Sequence, residues 1–279
     1  MFRAYAKINI GLRILKKRPD GYHDIETVFH RIDLFDEIEL SQSDEIVVVS
    51  SSGEVPAGES NICHKAARLL QDHLHGREGV HIAITKNIPV GAGLGGGSSD
   101  AATVLRALPR FWNVFIDEPT VQTLALQLGS DVPYFLGRGS AVGRGRGEVL
   151  EHFALQIPYT ILVCNPNIPI STAWAYANVV PDSSPTQNLK HIVTEGMRTP
   201  ALLVDALRND FEEPVFTRYP EIRLIKETMM RDGAVFASLS GSGSSVFGFF
   251  SDAADAETTA RTLRSKGWRT FLTPPHFSI

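Results

Sequence analysis

The stretch Pro89-Val90-Gly91-Ala92-Gly93-Leu94-Gly95-Gly96-Gly97-Ser98-Ser99-Asp100-Ala101-Ala102 places five glycines within positions 91–97 and follows them with two serines and an aspartate. From Ala101 onward, Ala102, Val104, Leu105, Ala107, Leu108 and Phe111 recur at helical spacing. Glycine lets a backbone adopt positive φ and approach a ligand without a Cβ in the way. Ser98 or Ser99 is positioned to N-cap the helix. The first N–H groups of a helix lack internal partners and sit at its positive dipole end. A glycine loop feeding such a helix therefore suits an anion, and phosphate is the usual one. A ligand-free flexible turn fits less well, because five glycines carry a large entropic cost.

Two standard phosphate patterns lie close to this stretch without fitting it. Gly91-x-Gly93-x-x-Gly96 matches the dinucleotide spacing, with Asp117 about twenty residues on. In a dinucleotide fold, however, the strand runs straight into the first glycine. Here Lys86-Asn87-Ile88-Pro89 separates the strand expected at 80–85 from the glycines. The Walker pattern fails because Ser98-Ser99 follows with no lysine. A phosphate loop of another kind is the better reading.

Composition sets the bounds. The chain has 279 residues, enough for one large domain or two medium ones, and 43% hydrophobic with 21% charged residues is ordinary for a globular protein. A net charge of −4 argues against a general nucleic-acid or acidic-membrane surface. Lys16-Lys17-Arg18 reads as a solvated loop. Cys63 and Cys164 sit far apart in apolar contexts, as buried thiols of a reducing compartment do. Neither a signal-peptide layout nor a membrane-length apolar run is present, so a cytoplasmic protein is expected. His73 and His75 splay apart on a helix, and no histidine pair has zinc spacing.

The N-terminal segment alternates. Ala4, Ala6, Ile8, Ile10, Leu12 and Ile14 make one strand face, and Tyr5, Lys7, Asn9 and Gly11 the other. Lys7 and Asn9 thus point the same way, toward either a solvated edge or a polar cavity. Strands are expected at 25–34, 36–40 and 46–50, a loop at 53–59, and helices at 61–74 and 119–128. Asp131, before an apolar run and Pro133, reads locally as a cap or turn residue. Residues 137–147 read as a loop or irregular hairpin. Pattern restarts near 153–158, which sets domains at 1–156 and 157–279. The second half shows strands at 159–164, 234–239, 246–250 and 268–272. Helices are expected at 171–179, 189–195, 200–210, 220–231 and 253–266, with a loop at 181–185. With the extra helices set aside, the order is β-α-β-β-α-β, the ferredoxin-like order.

The glycine loop resembles the second motif of the GHMP kinases, the superfamily of galactokinase, homoserine kinase and mevalonate kinase. Leu239-Ser240-Gly241-Ser242-Gly243-Ser244-Ser245-Val246-Phe247 resembles their third motif, and Ala4-Tyr5-Ala6-Lys7-Ile8-Asn9-Ile10-Gly11-Leu12 their first. Three further stretches resemble the branch whose acceptor is a cytidine-diphosphate-linked methylerythritol, in the non-mevalonate route to isoprenoids. They are Arg18-Pro19-Asp20-Gly21-Tyr22-His23, Gly129-Ser130-Asp131-Val132-Pro133-Tyr134-Phe135 and Pro166-Asn167-Ile168-Pro169-Ile170-Ser171-Thr172.

The resemblance implies a two-domain α+β protein, ribosomal-S5-domain-2-like in its N-terminal half and ferredoxin-like in its C-terminal half. It implies transfer of the γ-phosphate of ATP, with Mg²⁺, to the acceptor's 2-hydroxyl. Its catalytic pair matches Lys7 and Asp131, with Asp131 as general base. ATP-binding positions match Pro89, Val90, Gly91, Ala92, Gly93, Leu94, Gly95, Gly96, Gly97, Ser98 and Ser99, with Asn61 and Lys86 near the adenosine. Substrate positions match Asn9, Tyr22, His23, Phe29, Tyr176, Gly241 and Gly243. Tyr22 and His23 correspond to the cytosine-binding pair, and Phe29 and Tyr176 to rings able to sandwich the base. No metal ligand is assigned: the Mg²⁺ travels with ATP, with Ser99 or Asp100 as its available neighbours. For Asp100, stabilisation of the helix N-terminus is the stronger reading. Phe29 taken alone is equally a core residue, and Arg144 and Arg146 fit phosphate contacts or solvent alike. The partners implied are small molecules, with no nucleic acid or membrane, acting on a monomer or weak homodimer. A homoserine or mevalonate kinase lacks the Gly21-Tyr22-His23 segment in this setting. A non-catalytic sugar binder would lack the lysine or aspartate.

Overall fold

The computed structural model describes residues 1–56, 58–182 and 187–279. The loop expected at 181–185 falls mostly outside them, and the loop expected at 53–59 is interrupted at residue 57. By contacts the chain divides into two compact units. One comprises Met1–Ala6, Phe35–Val90 and Gly95–Arg138, the other Lys7–Leu34, Gly91–Leu94 and Gly139–Ile279. Two long strands, β1 (Phe2–Lys17) and β2 (His23–Ser41), each contribute to both.

In the first unit, β3 (Ile46–Ser50) runs parallel to β4 (Val80–Thr85), and β4 pairs antiparallel with the far end of β2, Glu37 opposite Thr85. Helix α1 (Ile62–His73) turns Ala66, Ala67 and Leu70 inward and packs on α2 (Gly96–Phe111). Helices α3 (Glu118–Leu128) and α4 (Val132–Leu136) pack on α2 as well. Asp117, the acidic residue of the dinucleotide spacing, caps α3 by accepting from the Thr120 N–H at 2.8 Å. That role is structural and removes the dinucleotide pattern's last element.

In the second unit, β2 pairs with β5 (Ser140–Arg144), and β5 with β6 (Val149–Phe153). The glycine- and arginine-rich stretch is therefore a regular hairpin. A four-stranded antiparallel sheet follows in the order β10-β7-β9-β8, built from β7 (Thr160–Asn165), β8 (Ala234–Leu239), β9 (Val246–Phe250) and β10 (Arg269–Thr273). Fourth, first, third, second is the strand order of a ferredoxin-like sheet. Helices α5 (Thr172–Asn178), α6 (Leu189–Gly196), α7 (Pro200–Ala206) and α8 (Glu212–Arg218) precede α9 (Pro220–Arg231) and α10 (Ala253–Arg264). Of these, α9 packs on β8 and β9, and α10 on β7 and β10. Phe211, Val215, Ile222, Ile225, Met229, Leu239 and Phe250 fill the core between sheet and helices.

Three elements differ from expectation for physical reasons. The strands expected at 25–34 and 36–40 are one continuous strand, because Asp36 points inward, fully buried, and its charge is met there. The helix expected at 200–210 ends at Ala206. The next residues instead pair with β1: the Leu12 N–H donates to Arg208 O and the Asp210 N–H to Leu12 O, both at 2.9 Å. Finally, neither Ser98 nor Ser99 caps α2. The N-cap is Gly95 at φ 71°, a left-handed conformation that glycine adopts without strain.

Candidate active site

Within the second unit, three segments far apart in sequence meet at Lys7. Its ammonium donates to Gly93 O at 2.9 Å and to Asn9 Oδ1 at 2.6 Å, and its own N–H donates to Leu94 O at 2.9 Å. The Ser240 hydroxyl donates to the same Gly93 carbonyl at 3.0 Å. The Asn9 N–H reaches Ser240 Oγ at 3.3 Å, and the Ser245 N–H reaches Ala92 O at 3.2 Å. Asn9 Nδ2 donates to Thr27 Oγ1 at 2.9 Å, which donates on to Gly11 O at 2.7 Å. Lys7 is 4% exposed and Asn9 2%. The alternation left open a solvated edge or a polar cavity, and the structure shows no solvated edge: Lys7 and Asn9 are buried among polar partners.

Gly93 is held at φ 77°, and a Cβ there would come within 2.0 Å of Ser240 O. The β8–β9 turn is tied from beneath by Asn209, whose amide donates to Leu239 O at 2.8 Å and Gly241 O at 2.9 Å. Gly241 and Gly243 both lie at positive φ in this turn. Ser240 and Asn209 are contributors that sequence reasoning passed over. Ser240 could have been found, since it sits inside the third motif. Asn209 carried no pattern.

In the first unit, α2 presents the N–H groups of its first turn, with Gly97 exposed and Ser98 half-buried. Pro89 is buried and Val90 is 44% exposed. Ser99 turns inward, its hydroxyl donating to Tyr5 O at 2.7 Å. Lys86, expected near the adenosine, has its ammonium between two carboxylates, Asp36 Oδ2 and Asp100 Oδ2, the latter at 2.7 Å. Its side chain is only 5% exposed. Asn61 is also turned inward: its Oδ1 caps α1 by accepting from the Cys63 N–H at 2.8 Å, and its Nδ2 donates to Pro56 O at 2.9 Å. In this structure the polar atoms of both residues are met by groups of the chain itself. Asp131 lies half-buried in the turn that starts α4, at the N-cap position but without a side-chain capping bond, in keeping with its local reading as a cap or turn residue.

The pyrimidine candidates lie in the second unit. The His23 ring stacks on Tyr176 with centroids 4.9 Å apart and planes 18° from parallel. Phe211 meets Tyr176 edge-on at 4.9 Å. Burial, and after it the charge of Lys17, lowers the His23 pKa. Tyr22 is exposed, with the Arg146 guanidinium 4.6 Å over its ring. Arg144 pairs with Glu151 at 3.1 Å and Glu26 at 3.4 Å. These two arginines, left open between phosphate and solvent, have protein partners. Phe29 departs from its expected role: it is 1% exposed and packs beneath Gly143, where a Cβ would lie 2.5 Å from its ring. The alternation of β2 turns Phe29 into the core, with the Lys7 ammonium 5.6 Å over its ring.

Mg²⁺ is implied by the kinase resemblance, but Ser99 and Asp100 do not fit it as ligands. One donates its hydroxyl to a carbonyl and the other faces a buried lysine. Among the described residues no group of three His, Cys, Asp or Glu could hold an ion.

Residues 61–139 match the family described as GHMP kinases N terminal domain, and residues 193–268 match GHMP kinases C terminal. The 4-diphosphocytidyl-2-C-methyl-D-erythritol kinase of Chlorobium limicola is 45% identical, over 99% of this chain and 97% of that one. The chain belongs to this family of GHMP kinases. The enzyme of the same name from Prosthecochloris aestuarii is 44% identical over 99% of this chain and 98% of that one. A crystal structure of 4-(cytidine 5'-diphospho)-2C-methyl-D-erythritol kinase superposes with a TM-score of 0.82 at 33% identity, covering 98% of this chain and 97% of that one. A homoserine kinase from Cytophaga hutchinsonii, 18% identical with a TM-score of 0.71 and covering 99% of this chain and 97% of that one, shares the fold.

Proposed function

We propose that the chain transfers the γ-phosphate of ATP to the 2-hydroxyl of 4-diphosphocytidyl-2-C-methyl-D-erythritol, giving the 2-phosphate and ADP. Full-length identity to kinases named for that substrate carries the reading. The convergence of Lys7, Asn9, Gly93 and Ser240 supports it, since phosphoryl transfer asks mainly for fixed positive charge and aligned reactants.

Asp131 is the general base that takes the hydroxyl proton, and Lys7 stabilises the acceptor oxygen as that proton leaves. The first-turn N–H groups of α2 and the backbone of residues 89–97 receive the phosphates. Mg²⁺ enters with ATP, not on a site the protein holds, and no step is assigned to it. Tyr22, His23 and Tyr176 take the cytosine, with Gly241 and Gly243 shaping the wall beside the acceptor. Asn61 and Lys86 support the adenosine side through the backbone they brace. The two functional halves are residues 1–156 and 157–279.

No helix among the described residues is long and apolar enough to cross a membrane. The enzyme acts on small molecules in the cytoplasm as a monomer or weak homodimer. A phosphotransfer assay comparing the cytidyl substrate with homoserine and mevalonate tests the reading. Turnover of the first alone is expected, and preference for either other alcohol would sink it.

A further inference from the structure

The buried cluster of Asp36, Lys86 and Asp100 holds two carboxylates against one ammonium. Its members are unequal. Asp36 Oδ1 accepts the N–H groups of Asn87 at 2.6 Å and Ile88 at 2.8 Å, while its Oδ2 meets Lys86. Every oxygen of Asp36 is therefore met by a donor. Asp100 Oδ2 takes Lys86, and its carboxyl lies within hydrogen-bonding reach of Asp36, while its Oδ1 is buried without a hydrogen-bond partner. A charged carboxylate oxygen in that position costs more than the oxygen of a neutral acid. Of the two, Asp100 is thus the one built to carry a proton.

The placement gives this asymmetry a use. Asp36 on β2 grips the segment 86–88, which leads into the glycine loop. Asp100 sits in α2, where the loop ends. Lys86 joins the two, so one ammonium fixes the entry of the loop to its exit. A Cβ on Gly96 would lie 3.1 Å from the Lys86 ammonium, which shows how closely the lysine underlies the first turn of α2.

We propose that Asp100 is a neutral carboxylic acid in the folded protein and that, with Asp36 and Lys86, it positions the nucleotide loop. The titratable groups facing Asp100 are Lys86 after β4, Asp36 from β2 and the Cys63 thiol from α1. Burial, opposed by Lys86 and reinforced by Asp36, pushes the Asp100 carboxyl up to about 8, in keeping with the geometry. Above that range a second negative charge develops in a closed space beside one ammonium, and the link between the two ends of the loop loosens. Asp100 acts through the loop and is a positioning residue. The link to ATP rests on the proposed kinase function, whereas the protonation state does not.

The test compares wild type with Asp100→Asn, the neutral isostere. At pH 7, infrared difference spectra should show a protonated-carboxyl band that the variant lacks. ATP binding by calorimetry without acceptor should weaken at least ~3-fold in wild type from pH 7 to 9.5 and stay flat in the variant, matching wild type at pH 7 within about twofold. Absence of the band, the same pH profile in both proteins, or a variant that fails to fold or binds ATP about tenfold more weakly at pH 7 would each overturn the proposal, since Asn reproduces a neutral acid. If the band appears and ATP does not bind at any pH, the kinase reading fails and the proton assignment stands.

Discussion

The imidazole of His23 lies flat against the ring of Tyr176, 4.9 Å between centroids. A base inserted between them would need roughly twice the separation of a single stack. In the pyrimidine site proposed above, the cytosine would extend this pair on an outer face and not enter it. Replacing Tyr176 with Ala removes the ring that holds His23 in plane. We expect KM for the cytidyl substrate to rise about tenfold or more with kcat nearly unchanged, because stacking acts in ground and transition states alike. Steady-state kinetics check this, and an unchanged KM would remove Tyr176 from the pyrimidine site.

His23 is held neutral to lower pH than a free histidine by burial and by Lys17. Its ring can both donate and accept on a base edge only while neutral. KM for the cytidyl substrate should accordingly stay level as pH falls through the ordinary histidine range and rise only below it. A rise centred on the ordinary range would contradict the lowered value.

Asp131→Asn keeps the shape of the side chain and removes its basicity. We expect kcat to fall at least about 10²-fold with ATP affinity nearly unchanged. Wild-type turnover in the variant would show that another group accepts the proton.

Gly93→Ala puts a methyl group 2.0 Å from Ser240 O on a backbone at φ 77°. Left-handed strain alone costs about 1–2 kcal/mol for a residue with a Cβ. The collision must also push the glycine loop off the β8–β9 turn. A lower melting temperature with loss of turnover is expected. Gly97→Ala is the contrasting variant, since its Cβ meets only an ordinary contact, Ile62 Cγ2 at 3.7 Å.

His30 is buried, hydrogen-bonded to Ser140 Oγ at 2.8 Å, and pushed down to about 4 by burial. Its folded pKa lies below the unfolded value, so the unfolded chain takes up a proton first as pH falls. Stability should be level above about pH 6.5 and decline toward pH 4. His30→Gln, which does not titrate, should show a shallower decline in melting temperature over that window.

The fold was legible wherever period and burial agree. Lys7 and Asn9 could be placed on one face of β1 because the alternation is unbroken, and α1, α9 and α10 follow from stripes of apolar residues. The site was legible only where a motif carried it. Asp36 was not, because a charge pointing into the core looks like the end of a strand until its partners at 86–88 and 100 are known. Phe29 shows the converse: an aromatic at a motif position can equally be core, and only the neighbouring Gly143 decides. The fate of Lys86 and Asn61 depended on partners from other elements, which no local pattern records.

The interleaving of the two units has an evolutionary corollary. The chain passes between them at 6/7, 34/35, 90/91, 94/95 and 138/139. A single recombination event with a distant relative cannot exchange one unit whole. Even the most favourable crossover, at 138/139, leaves residues 7–34 and 91–94 with the other parent's partners. Lys7 and Gly93 would then face a foreign Ser240 turn. Specificity in such a protein should diversify by point substitution along β1, β2 and the β5–β6 hairpin, and not by shuffling of parts.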